Sequence, residues 1–170
     1  MKFTGKLKKF TDNSLWGHHL PIPADIAEIF VKGDRRVLLH INGHPPVHCA
    51  LTSGGDGTWF ITASKDLCKR LKLEPGDAVN LEIEKDESKY GIALPPEIAE
   101  LWELDLPGKE VFHSLTPGKQ RSLLYIIGKP KSSDTRLRKA LMITDYLKSV
   151  NGNLDFKEMN AFMKEKKSEY

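Results

Sequence analysis

At 170 residues, with 39% apolar and 29% charged side chains, the chain is long enough to bury a core of its own without disulfide or metal staples. No run approaches the roughly 18 consecutive apolar residues of a membrane-spanning helix, and a net charge of +3 is too small to mark the whole chain as a polyanion binder. The basic start (Lys2, Lys6, Lys8, Lys9) is not followed by the apolar run of a secretory signal, and Cys49 and Cys68 lack metal-binding spacing, so a cytoplasmic protein with reduced thiols is expected.

In chain order, Lys2 to Phe10 reads as a strand, and Ala24 to Phe30 as a short helix opened by Pro23. Arg35 to Ile41, Val47 to Leu51 and Thr58 to Thr62 read as further strands, the last two joined by the turn Ser53-Gly54-Gly55-Asp56-Gly57. No lysine or hydroxyl follows that turn at phosphate-loop spacing, so it is read as a hairpin turn. A second short helix, Lys65 to Leu71 with Ser64 as its cap, leads through Leu73-Glu74-Pro75-Gly76-Asp77 into a half-buried strand, Ala78 to Glu84.

These elements repeat. Asp25 and Asp66 are 41 positions apart, Val37 and Val79 are 42 apart, and Gly33 and Gly76 are 43 apart, each inside a helix, Gly-Asp turn and strand. Two such units imply a pseudo-twofold architecture, best closed by wrapping the strands into a small barrel without exposed edges. The Leu73 to Asp77 turn between helix and strand resembles the swapped-hairpin unit of AbrB-type double-split barrels. Together with Gly33-Asp34-Arg35-Arg36-Val37, Ile41-Asn42-Gly43 and Gly55-Asp56-Gly57, it resembles a bacterial family of unknown function with that architecture.

After Lys89 the pattern becomes helical. Pro95-Pro96-Glu97 opens a helix through Trp102, Leu106 to Leu115 holds another, and Thr116-Pro117 opens a third that ends near Gly128. A long helix from Ser133 or Asp134 to about Val150 carries apolar residues on two sides and needs partners on both. Leu154 to Lys164 is predicted to dock as one of them, with only the last few residues loose.

Phe112, Leu115-Thr116-Pro117, Lys119-Gln120-Arg121, Tyr125-Ile126, Lys129 and Asp134 through Lys139 are similar to the YdeI / OmpD-associated family, also called bacteriocin-protection proteins. The reading is therefore α+β: a pseudo-symmetric double-split β-barrel over 1-90, then a helical YdeI/OmpD-associated domain over 91-170. The resemblance implies a link to bacteriocin or cationic-peptide resistance. A basic surface does not bind cationic peptides, so that link implies an indirect role.

Between Thr116 and Lys139 seven bases stand against the single acid Asp134. Arg121, Tyr125 and Lys129 form one stripe at helical spacing, and Lys131, Ser133, Thr135 and Arg136 crowd the start of the next helix, whose free amides favour anions. With Lys119 these residues form the candidate anion- or partner-binding surface. Against it, Asp134 is placed to cap the helix itself and to pair with Arg138 one turn on. A helix-turn-helix reading meets a connector longer than the usual roughly three to four residues.

His40, His44 and His48 are evenly spaced, but Gly43 and Pro45-Pro46 exclude the helix that would align them, so no metal site is expected. Glu82, Glu84 and Asp86 alternate as the solvent side of a strand, without a nucleophile or base beside them. Trp16, Trp59 and Trp102 read as core or groove-lining residues. No cofactor or catalytic residue is expected, and an enzyme is unsupported. The expected function is a binding or stress-adaptation protein, monomeric or homodimeric, that engages an anionic ligand or nucleic acid. The alternatives are a small-molecule-binding protein or enzyme with a groove between barrel and helices, and a DNA-binding regulator by analogy with AbrB.

Overall fold

The structure is a computed structural model in which residues 1–11 and 17–170 are described; Trp16 lies outside them. The chain divides into two compact units, Met1–Gly91 and Ile92–Tyr170. The first is built on β-sheets and the second is helical, so the chain is α+β.

The first unit holds the strands β1 (Lys2–Lys6), β2 (Lys8–Lys9), β3 (His18–Ile22), β4 (Arg36–Ile41), β5 (Val47–Ala50), β6 (Thr52–Ser53), β7 (Trp59–Ala63) and β8 (Ala78–Lys85). Helices α1 (Ala24–Phe30) and α2 (Lys65–Leu71) complete it. The strands make two four-stranded sheets, ordered β1-β8-β4-β5 and β2-β3-β7-β6, and among the described residues the ladders stay within each sheet. The single strand expected over Lys2 to Phe10 is two strands in different sheets. The chain changes sheet at the buried Leu7, whose N–H donates to Asp77 O at 3.0 Å while its carbonyl accepts from Gly76 N at 2.7 Å. The first bond continues the β1–β8 register by one residue, while the second slips to Gly76 in the turn before β8, and the regular pairing ends there.

Strand β3 was not expected, because Pro21 argues against a strand interior. Strand β2 pairs only with its first two residues, His18 and His19, so Pro21 meets no partner on that side. The rest of β3 pairs antiparallel with β7, and β4 pairs antiparallel with β8. These are equivalent strands of the two repeats. Leu20 faces Ile61 and His40 faces Glu82, positions 41 and 42 apart, so each strand meets its own copy at the repeat spacing. A residue that faces its own counterpart across an antiparallel ladder lies on a local twofold axis.

The turns match in kind. Gly33 and Gly76 have φ of +83° and +101°, which glycine adopts without a Cβ clash. Ser64 caps α2 as expected, accepting from Leu67 N at 3.1 Å. Val79, Leu81 and Ile83 point inward from β8, and join Val37, Leu39, Ile41, Leu20, Ile22 and Ile61 in one core lidded by Ile26, Phe30 and Cys68. Each such aliphatic side chain contributes about 1.5–3 kcal/mol of burial free energy.

The second unit contains α3 (Pro96–Leu104), α4 (Leu106–His113), α5 (Pro117–Gly128), α6 (Ser133–Ser149) and α7 (Phe156–Glu165), followed by a 3-10 turn at Lys166–Ser168. Helix α6 packs against α3, α4, α5 and α7, and buries Ala140, Met142, Ile143, Thr144, Tyr146 and Leu147. Its predicted need for partners on two sides is met, although Leu137 stays exposed. Asp155 caps α7 through Lys157 N and Glu158 N, and Met159 is fully buried. The last residues, expected to be loose, are tied down: the Tyr170 hydroxyl donates to Asp145 Oδ2, and Lys166 pairs with Glu169 at 2.7 Å. The bond to Asp145 pushes the Tyr170 hydroxyl up to about 12. No helix among the described residues is long and apolar enough to cross a membrane.

Candidate functional site

The site is built on the last turn of α5, the connector 129–132 and the start of α6. Buried Leu123, Leu124 and Ile127 seat α5 and turn Tyr125 to solvent with more than half its surface exposed. The Lys129 ammonium lies 5.9 Å from the centre of the Tyr125 ring, a cation–π distance. The expected stripe of Tyr125 and Lys129 is therefore formed, with Arg121 partly exposed one turn before it. Lys131 and Thr135 are exposed, and Lys119 Nζ reaches Leu154 O at 3.4 Å.

Arg136 and Ser133 take a different course. Arg136 donates from Nη2 to Glu97 Oε1 at 2.6 Å and from Nε to both Glu97 oxygens at 2.9 and 3.0 Å. Its Nη1 reaches back to Pro130 O and Lys131 O at 3.1 and 2.8 Å. Ser133 Oγ donates to Glu97 Oε1 at 2.6 Å. Arg136 thus holds α6 to α3 and folds the connector onto the first turn of α6. The buried Glu97 carboxylate is held down to about 2, chiefly by its bonds from Arg136 and then from Ser133.

Asp134 does not cap α6: Ser132 holds the N-cap position without a side-chain bond, and among the described residues no ion pair joins Asp134 to Arg138. Glu97 is the residue that sequence reasoning missed. In the sequence it is an acid at a helix opening, where the helix dipole favours a carboxylate with or without a distant partner. Its partner is 39 positions away, and nothing local announces it.

Beside the exposed tyrosine lies a groove of about 340 Å³, walled by Ile92, Leu94, Pro95 and Pro96 on one side and Leu124, Tyr125 and Gly128 on the other. Its charged lining residues are Lys129 and Arg136, both basic. Three of the predicted surface residues, Tyr125, Lys129 and Arg136, therefore meet at one groove.

The first unit carries a separate polar face. Glu84 pairs with His40 at 3.3 Å, Glu82 with Lys2 at 3.6 Å, and Asp86 with His48 Nδ1 at 2.8 Å. Asp86 departs from the solvent row expected of it. Strand β8 ends at Lys85, so the alternation lapses, and Asp86 turns inward to accept from Ser88 N at 3.0 Å, Ser88 Oγ and His48. These bonds outweigh its burial and lower its pKa. Among the described residues no group of three histidine, cysteine or acidic side chains is placed to hold a metal. Burial pushes the Cys49 thiol up to about 12 and also raises Cys68, so both stay protonated at neutral pH. Trp102 packs on Phe112 and His113 at 4.8 Å each, and Trp59 is half-buried beneath Arg35 at 5.2 Å.

No curated protein matches the chain. Residues 3–83 match the family model of a domain of unknown function, DUF1905. Residues 92–149, which contain α3 to α6 and the groove, match the model described as bacteriocin-protection, YdeI or OmpD-associated. The chain therefore carries the YdeI/OmpD-associated family match in its helical unit, preceded by the DUF1905 match in its sheet unit, the combination that its sequence resembles.

Proposed function

We propose that this chain is a binding protein whose helical unit engages an anionic partner, with an indirect part in bacteriocin protection. The observation that carries this reading is the exposed Tyr125 ring with the Lys129 ammonium beside it, at the edge of an apolar groove whose charged lining is basic. Tyrosine and a neighbouring cation combine apolar area with charge, as binding hot spots do. Arg136 and Ser133 act differently in this reading. They serve Glu97 and hold the α6 end in place, while Lys129, Lys131 and Thr135 face the partner. The sheet unit is read as a double-split barrel of the AbrB type, supported by the pairing of each repeat strand with its own copy.

Heparin affinity chromatography tests the charged surface. The double variant Lys129→Glu with Lys131→Glu is expected to elute at distinctly lower salt than a control with Lys157→Glu and Lys164→Glu on α7, because phosphate- or sulfate-like contacts weaken steeply with salt. Equal elution of the two variants would show that the 129–131 region is ordinary surface and remove the proposal.

A further inference from the structure

We infer that the groove beside Tyr125 takes an acidic segment of another protein that inserts apolar side chains between the 92–96 stretch and α5. This rests on the anionic-partner reading and narrows it to a partner class. The walls are aliphatic and proline side chains, Ile92, Leu94, Pro95, Pro96 and Leu124, with one aromatic edge at Tyr125. A surface for single-stranded nucleic acid instead sets several flat rings against successive bases, and among the described residues no second aromatic ring lines this groove. At about 340 Å³ the space is at the small end of ligand pockets and suits a pair of apolar side chains.

The electrostatics select the flanks of such a segment. Among the described residues no acid lines the groove, and Glu97, the acid next to it in sequence, is buried and committed to Arg136 and Ser133. Lys129 stands at the rim, and the exposed Lys131 and Arg138 extend the positive charge along the connector and α6 on either side of Asp134, the single acid of the 116–139 segment. A segment with apolar anchors and acidic neighbours thus finds an apolar floor and a basic border. A cationic or uncharged segment would lose the border.

The wall opposite the tyrosine is stiff. Pro95 is buried, Pro95 and Pro96 fix their own φ angles, and α3 starts at Pro96. Gly128 lets Pro95 approach α5 closely, since a Cβ there would lie 3.2 Å from Pro95 Cγ. A preformed groove of this kind avoids much of the ordering cost of binding.

The test is selection from a displayed library of short random peptides on the full chain, followed by fluorescence anisotropy of the enriched peptides. The enriched sequences are expected to combine aspartate or glutamate with closely spaced apolar residues. Their binding is expected to weaken about tenfold or more in Ala93→Trp, which fills the groove from an exposed position, and in Tyr125→Ala. Circular dichroism melts verify that both variants are folded. No enrichment, enrichment without acids or apolar anchors, or binding by the two variants as tight as by the parent would overturn the inference. A labelled oligothymidylate is run in parallel. If it binds and loses affinity in the Lys129→Glu, Lys131→Glu variant while the peptides fail, the anionic-partner reading stands and the peptide inference falls. If heparin elution does not distinguish the charge variants, both fall.

Discussion

Glu97 shows how one side chain can decide what a charged segment does. Seven bases between Thr116 and Lys139 look equivalent along the sequence, yet Arg136 sends its guanidinium to a buried carboxylate while Lys129 and Lys131 stay outside. The arrangement has a pH signature. Because the folded pKa of Glu97 is depressed to about 2, its contribution to stability is whole above its ordinary value of 4.5 and is lost as the pH falls toward about 2. Glu97→Gln is expected to be less stable than the parent at neutral pH, with the difference shrinking across that window in urea unfolding series. A difference constant from neutral pH to about 2 would mean that the carboxylate is not held down by Arg136.

At the scale of elements, the α4–α6 packing depends on one missing side chain. Asp105 caps α4 by accepting from Gly108 N at 3.0 Å and binds Lys148 on α6 at 2.7 Å, so the same carboxylate starts one helix and grips another. That bond lowers Asp105 and raises Lys148. A Cβ on Gly108 would lie 2.3 Å from Thr144 Cγ2 and 2.7 Å from Asp105 Oδ2, so both the helix approach and the cap need glycine there. Gly108→Ala is expected to cost about 1–3 kcal/mol, as overpacking does. Thr144→Ser, which removes the clashing methyl, is expected to recover part of the loss in the double variant. Thermal melts in which Gly108→Ala matches the parent would show that α4 and α6 have room to spare. Local signals located most helices well here, since Pro-led starts and the Asn151-Gly152 stop are written in consecutive residues. They missed β3, which Pro21 interrupts, and they ran β1 and β2 together because β1 pairs with β8 some 75 positions on while β2 pairs with His18 and His19 in the other sheet.

Across the whole molecule, the core of the sheet unit draws on residues from Leu7 to Ile83, and the helical unit has its own buried set from Ile98 to Met159. Each unit thus holds the apolar area that cooperative folding requires. Fragments 1–91 and 92–170, expressed separately, are each expected to unfold in a single cooperative transition by circular dichroism. A fragment that gives a broad, non-cooperative melt would show that its core is incomplete alone. The Arg36 guanidinium, bonded to the Gly91 carbonyl, and the Asp86 turn with Ser88 fasten the end of the sheet unit to its own strands.

By itself the sequence determined the repeated helix-turn-strand unit, the later helices, the inward face of β8 and the concentration of positive charge after Thr116, because periodicity, caps and turn glycines act over a few residues. It placed Tyr125 and Lys129 on one stripe for the same reason. Only the tertiary structure decided which strands meet their own copies, that Asp86 turns inward, that Arg136 and Ser133 serve Glu97, and that the 92–96 stretch faces Tyr125 across a groove. Those outcomes join residues tens of positions apart. They depend on how faces pack and on which buried charges find partners, and no local pattern encodes either.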